Sequence, residues 1–153
     1  MRRDIVGHPG SVVILAVEES GDEPRVLLEK QYRYTVRDDL LELPAGRIDE
    51  GESELAAAKR ELIEETGYRA ARWKRILRFW ASPGFVAETM AVYLARGLHP
   101  GPARPEADEV IAQRLVPLSQ AVQMVMRGRI RDAKTMTSIL WLSEYQNRQK
   151  PRK

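Results

Sequence analysis

Glu61, Glu64 and Glu65 stand three and four residues apart in a stretch that reads as a helix. At about 100° per residue, that spacing sets the three carboxylates side by side on one face. Each like-charge pair of this kind costs about 0.2–0.5 kcal/mol on an exposed helix. A divalent cation would turn the repulsion into a binding site, and hard carboxylate oxygens suit Mg²⁺ or Mn²⁺. The chemistry that such a site supports is phosphoryl transfer: the metal neutralises charge on phosphate oxygens and lowers the pKa of a bound water. The ordinary alternative is a solvated acidic face, in which Arg60 gives Glu64 an ion-pair partner four residues away.

The surrounding residues favour the metal. Gly46 to Tyr68 reads GRIDEGESELAAAKRELIEETGY. Gly46, Glu52, Arg60-Glu61, Glu64-Glu65 and Gly67, closed by a bulky apolar residue, fill every fixed position of G-x5-E-x7-R-E-U-x-E-E-x-G-U. This stretch resembles the Nudix box, the signature of hydrolases that split a diphosphate linked to another moiety. The resemblance implies that Glu61 and Glu65 ligate metal directly, with Glu64 close behind and the Ala45 carbonyl as a backbone ligand. It places Glu52 and Arg60 behind them, Arg60 completing the catalytic set by orienting carboxylates through its planar fork.

Further cues resemble the ADP-ribose pyrophosphatase subfamily. They are Gln31-Tyr32-Arg33, Leu41-Glu42-Leu43-Pro44-Ala45-Gly46 and Ser82-Pro83-Gly84-Phe85, with Glu88 following. That likeness implies Arg33 as a diphosphate contact, ahead of Arg37 and Arg47, and a stiff substrate-facing loop of Pro83, Gly84, Phe85 and Glu88. Tyr32, Tyr34, Phe85 and Trp80 are the aromatics available to stack on adenine, a core position being the other reading for Trp80. It also implies functional acids in Pro105-Glu106-Ala107-Asp108-Glu109, with a solvated loop tip as the alternative. Glu106 is the candidate base, with Glu64 as its rival for the water proton, and Asp108 or Glu109 lies near a metal. One departure is length. Ten residues precede Ser11, where the subfamily carries a longer segment that contributes to a dimer and to the adenine pocket.

The elements that must position these residues follow from pattern. Ser53 to Thr66 contains no Gly or Pro and is rich in Ala, Glu and Leu, which predicts a helix capped by Gly51 or Ser53 and stopped by Gly67. Leu55, Ala56, Ala58, Leu62 and Ile63 make its expected apolar arc, and the sharp turn entering it is assigned to the freedom of Gly46. Strands are predicted at 11–17, 25–33, 40–43, 73–80, 89–95 and 110–116, the first two as a hairpin. A long Gly- and Pro-rich loop is expected over 97–109. A helix follows Pro117 and ends near Arg127, and a last helix over 133–146 buries Met136, Leu140 and Trp141. Residues 146–153 are expected to be a frayed basic tail. The order fits an α/β class with a mixed sheet between helices. The Nudix resemblance implies an α/β/α sandwich of that kind.

Composition bounds the rest. The chain has 153 residues, 43% hydrophobic and 31% charged, which predicts one soluble domain over 1–153. With no cysteine, disulfides, thiol chemistry and cysteine-bound zinc are excluded. His8 and His99 are expected on the surface or in loops. No apolar run reaches the length of a membrane span and no signal peptide is visible, so the cytoplasm is the default and no membrane is expected. The net charge of +3 favours an anionic substrate. No aromatics interleave the basic tail, so nucleic acid is not expected as a partner.

The resemblance therefore implies Mg²⁺-dependent hydrolysis of ADP-ribose or a related ADP-sugar to AMP and a sugar phosphate, by a homodimer. Two readings stand beside it. One is another Nudix substrate, such as a GDP-sugar, NADH or an oxidised nucleoside triphosphate. The other is a nucleotide-sugar sensor that binds without cleaving; an intact set of mutually repelling glutamates argues against it.

Overall fold

The apolar run Ser11–Glu18 becomes the central strand of a mixed sheet. A computed structural model describes residues 1–104 and 112–149. In chain order the strands are β1 (Val6–Gly7), β2 (Ser11–Glu18), β3 (Arg25–Arg33), β4 (Asp38–Glu42), β5 (Ala45–Arg47), β6 (Arg69–Trp80), β7 (Val86–Ala87), β8 (Thr89–His99) and β9 (Ala112–Pro117). The helices are α1 (Glu54–Thr66), α2 (Leu118–Met126) and α3 (Ala133–Gln149).

Period-two side chains divide β2 between two cores. Val12, Ile14 and Ala16 join Leu27, Ala91, Tyr93 and Ala95 beneath Ala57, Ala58 and Leu62 of α1. Val13, Leu15 and Val17 join Val26, Leu28, Val92, Leu94 and Val116 beneath α2 and α3. β2 has no solvent face, which is why its sequence is continuously apolar rather than alternating. The result is the expected α/β/α sandwich.

Strand order is β4-β3-β2-β8-β6, with β5 also pairing β2 and β9 also pairing β3. β2 and β8 run parallel over Ser11↔Met90 to Val17↔Arg96, while the other pairs in this sheet are antiparallel. The expected β2–β3 hairpin forms but is short, since only Val17↔Val26 and Glu18↔Arg25 pair. β5 pairs with Ser11 to Val13 at the other end of β2. That brings Ala45 and Gly46 into the sheet beside the strand that anchors it.

Several expectations need correction. The buried side of α1 is Ala57, Ala58, Leu62, Glu65 and Thr66, while Ala56 is exposed and Leu55 and Ile63 are only half-buried. The helix rolls so that Glu65 faces inward, toward a backbone amide that it accepts from. In α3 the buried residues are Lys134, Thr135, Ser138, Ile139 and Leu142. Leu140 is exposed, and Met136 and Trp141 are half-buried. The buried face of that helix combines the polar Lys134, Thr135 and Ser138 with the apolar Ile139 and Leu142. α3 also continues through residues 146–149, and the rest of the expected tail, 150–153, lies outside the described residues. β8 extends to His99, so the expected loop begins later.

Candidate active site

Ser53 caps α1: its side-chain oxygen accepts the Ala56 N–H at 3.2 Å. Gly67 ends it in the left-handed region at φ 75°, its N–H donating to the Ile63 carbonyl. With both ends set, Glu61, Glu64 and Glu65 face a polar cleft of about 490 Å³ that is also lined by Arg33, Ala45, Gly46, Arg47, Asp49 and Arg60.

The two box glycines serve different purposes. Gly46 lies within β5 and does not have a positive φ, so conformational freedom is not its role. A Cβ there would stand 2.0 Å from the Glu61 carboxyl carbon, so the glycine makes room for that carboxylate. At Gly67 a Cβ would meet the Gly101 carbonyl oxygen at 2.1 Å, in addition to the strain of positive φ. This close approach docks residues 101–104 on the end of α1, where the Arg104 N–H donates to the Glu64 carbonyl at 2.7 Å.

Arg60 is the organiser of the cleft. Its Nε and Nη2 donate to Glu52 at 3.0 and 2.9 Å. Its Nη1 donates to Glu61 at 2.7 Å and Glu64 at 3.0 Å, and its Nη2 also reaches the Arg47 carbonyl at 3.0 Å. The bonds to Glu52 hold the guanidinium well above its ordinary pKa against partial burial, with Glu61 and Glu64 adding to the effect. The same bonds hold Glu52 below the usual carboxylate range. Glu65 is buried and accepts the Ala45 N–H at 3.0 Å, tying the inner face of α1 to β5.

The donor set of the cleft is all oxygen, from Asp49, Glu61, Glu64, Glu65 and the Ala45 backbone, and this fits a hard divalent cation. Among the described residues no three carboxylates converge on one point. Arg60 holds Glu61 and Glu64 through one nitrogen, and the Ala45 N–H holds Glu65.

Arg33 joins the cleft from the end of β3, its Nε and Nη2 donating to Glu42 at 2.8 and 2.9 Å. Arg47 also lines the cleft, whereas Arg37 sits in the β3–β4 turn at φ 53° and does not. Glu106, Asp108 and Glu109 lie outside the described residues.

The loop of Pro83, Gly84 and Phe85 is not brought to this cleft. It lines a second cavity, of about 640 Å³, with Arg3, Asp4, Ile5, Trp80, Val86 and Ala87. Trp80 is 57% exposed, which overturns a core position for it, and Phe85 is 62% exposed. Glu88 lines neither cavity; it accepts the Ser11 hydroxyl at 2.6 Å and stands 3.8 Å from His8 Nε2.

Glu42 enters the sequence reading only as part of the Leu41–Gly46 resemblance, without a role of its own, and Asp132, Lys134 and Thr135 are not singled out there. A signal was present in Asp132-Ala133-Lys134-Thr135: a helix-capping Asp followed by a lysine in the first turn, where the helix dipole disfavours a cation.

Comparison with known proteins agrees with this geometry. The NUDIX domain family matches residues 7–139. The chain belongs to the Nudix family. This Nudix chain is 38% identical over 143 residues to an ADP-ribose pyrophosphatase of Bacillus subtilis, covering 92% of the chain and 76% of that protein. It is 34% identical, with the same coverage, to a methanol dehydrogenase activator of Bacillus methanolicus. The fold matches a crystal structure of an ADP compounds hydrolase at a TM-score of 0.80 and 24% identity, over 92% of this chain and 74% of the other.

Proposed function

We propose that this Nudix protein hydrolyses the diphosphate of ADP-ribose or a related ADP-sugar, releasing AMP and a sugar phosphate. The observation that carries the reading is the cleft itself. Glu61, Glu64 and Glu65 lie in it with the Ala45 backbone, Arg60 ties Glu61 and Glu64 together, and Arg33 stands at its wall. The similarity to ADP-ribose pyrophosphatases supports the substrate class.

Mg²⁺, or Mn²⁺ in its place, is assigned to Glu61, Glu64, Glu65 and the Ala45 carbonyl. When bound it supplies charge neutralisation at the diphosphate and a more acidic water. Arg60 keeps the carboxylates aligned, and Arg33 presents its guanidinium to phosphate oxygens. Proton removal from the attacking water is assigned to Glu106 or Glu64, and Asp108 or Glu109 to the metal's vicinity. The segment carrying these acids follows Arg104, which is tied to the Glu64 carbonyl. Ile5, Val6, Trp80 and Phe85 form an exposed apolar patch beside the second cavity. In a homodimer that patch is covered, and Pro83, Gly84 and Phe85 contact substrate across the interface. Among the described residues no helix is long and apolar enough to cross a membrane.

The test is product analysis after incubation with ADP-ribose and Mg²⁺, with GDP-mannose, NADH and 8-oxo-dGTP in parallel. AMP and ribose 5-phosphate are expected from ADP-ribose, with the rate lowered by at least about 10²-fold in Glu65→Gln and Glu106→Gln. Turnover of a different compound would keep the chemistry and overturn the substrate. ADP-ribose binding without turnover would overturn the enzyme in favour of a sensor.

A further inference from the structure

α3 begins with a costly choice. Lys134 lies in its first turn, is 8% exposed, and carries a cation where the helix dipole repels one. A buried ammonium persists only when paired. Its Nζ donates to the buried carboxylate of Glu42 and, at 2.9 Å, to Asp132 Oδ1. Asp132 in turn caps α3, its Oδ2 accepting the Thr135 N–H at 3.0 Å and the Thr135 hydroxyl at 2.6 Å. The Thr135 hydroxyl oxygen accepts the Leu43 N–H at 2.9 Å, so the first turn of α3 grips both the side chain of Glu42 and the backbone after it.

Glu42 spends both oxygens on Arg33, Oε1 on Nε and Oε2 on Nη2. Two cations and two carboxylates thus form a neutral chain from Asp132 through Lys134 and Glu42 to Arg33, ending in the catalytic cleft. Apolar residues of similar volume would stabilise this part of the core equally well, so stability alone does not account for the ions. Geometry does. A side-on grip through Nε and Nη2 fixes the guanidinium plane of Arg33 at the cleft wall. Arg33 also feels the Glu65 carboxylate. Arg33 is therefore held in the cleft beside Glu65 before substrate arrives, which removes the cost of ordering a long side chain on binding.

We infer that Glu42, Lys134 and Asp132 are positioning residues that lock the Arg33 guanidinium in its diphosphate-binding orientation. This inference rests on the function proposed above, but its first test does not.

In the substrate-free protein, the Arg33 Nε–H resonance, assigned by its loss in Arg33→Ala, is expected to be sharp and slow to exchange. Lys134→Met should broaden or abolish it while the backbone spectrum stays folded. Asp132→Asn, which keeps a capping side chain, provides a second variant if Lys134→Met does not fold, and should weaken the protection in the same direction. An unchanged resonance in either folded variant overturns the inference.

Kinetics with ADP-ribose and Mg²⁺ supply the second test. Lys134→Met should lower kcat/KM about tenfold, the lower end of what loss of a supporting partner costs. The Mg²⁺ concentration at half-maximal rate should not move. In an Arg33→Ala background the same substitution should cost nothing further, because residues acting through one another are not additive. Additive losses would overturn the positioning role. If the wild-type protein fails to cleave ADP-ribose, the function proposed above falls, and the resonance alone still decides whether Arg33 is held by Lys134.

Discussion

At the scale of single residues, one observation separates chemistry from architecture within the box. Gly46 and Gly67 both fill fixed positions of the box, yet a methyl group added to each would meet different obstacles. At Gly46 the obstacle is the Glu61 carboxylate, the movable end of a side chain. Gly46→Ala should fold with little change in Tm but displace Glu61, lowering turnover about 10²-fold, as misplacement by about 1 Å can do. Thermal melts beside steady-state rates check this; a large drop in Tm would show the backbone to be the constraint after all. Glu61, Glu64 and Glu65 themselves were legible from spacing alone, because helix geometry makes neighbours of residues three and four apart. Glu42 was not. It stands in the Leu41–Gly46 stretch that resembles the subfamily, but no role attaches to it there, and only the ends of β3 and α3 reveal its partners.

At the scale of elements, both ends of α1 carry their own instructions, and each can be tested. Removing the Ser53 cap by Ser53→Ala should cost about 1 kcal/mol. Gly67→Ala should cost more than about 1 kcal/mol, because the residue is held at positive φ and its neighbours are backbone atoms. Urea denaturation measures both, and a smaller loss at position 67 than at 53 would contradict the docking of residues 101–104. The roll of the helices was less readable than their ends. The apolar arc of α1 was misplaced because Glu65 turns inward to the Ala45 N–H. That of α3 was misplaced because Lys134, Thr135 and Ser138 are buried ahead of Leu140. In both cases buried polar partners share the face with apolar residues, Ala58 and Leu62 in α1 and Ile139 and Leu142 in α3, since an unsatisfied buried amide or charge costs more than an exposed leucine.

At the scale of the molecule, paired carboxylates make stability depend on acid. Glu42 is pushed up by burial, but its bonds to Arg33 and its attraction to Lys134 outweigh that, so it sits below its ordinary value of 4.5. Glu18 is lowered to about 2 by hydrogen bonds from Ser20 and Arg25. For a group whose folded pKa is depressed, the unfolded chain binds its proton first as pH falls. The stabilisation is therefore complete well above pH 4.5 and declines from there toward pH 2. Tm measured from pH 7 to pH 3 should be level at first and fall below about pH 4.5. Glu42→Gln should lower the plateau and shallow the slope; an unchanged slope would mean that the Arg33–Glu42–Lys134 chain carries no pH-linked stability. We expect a single cooperative transition throughout, as for one domain.

What the amino-acid order determined by itself was local: the capped helix, the three glutamates on its face, the buried central strand, and the reaction class that those residues resemble. Each depends on contacts within a few residues or on a period of two or 3.6, so each is written along the chain. Tertiary structure alone decided what faces the glutamates. β5 takes its place beside β2, Arg33 comes to the cleft wall from the end of β3, and the first turn of α3 meets Glu42 and Leu43 across 92 positions. It also separated the Pro83–Phe85 loop from the cleft, a separation that no spacing in the sequence expresses. These contacts are made between elements whose approach is set by the packing of two cores on one sheet, and a linear pattern carries no record of which distant residues that packing brings together.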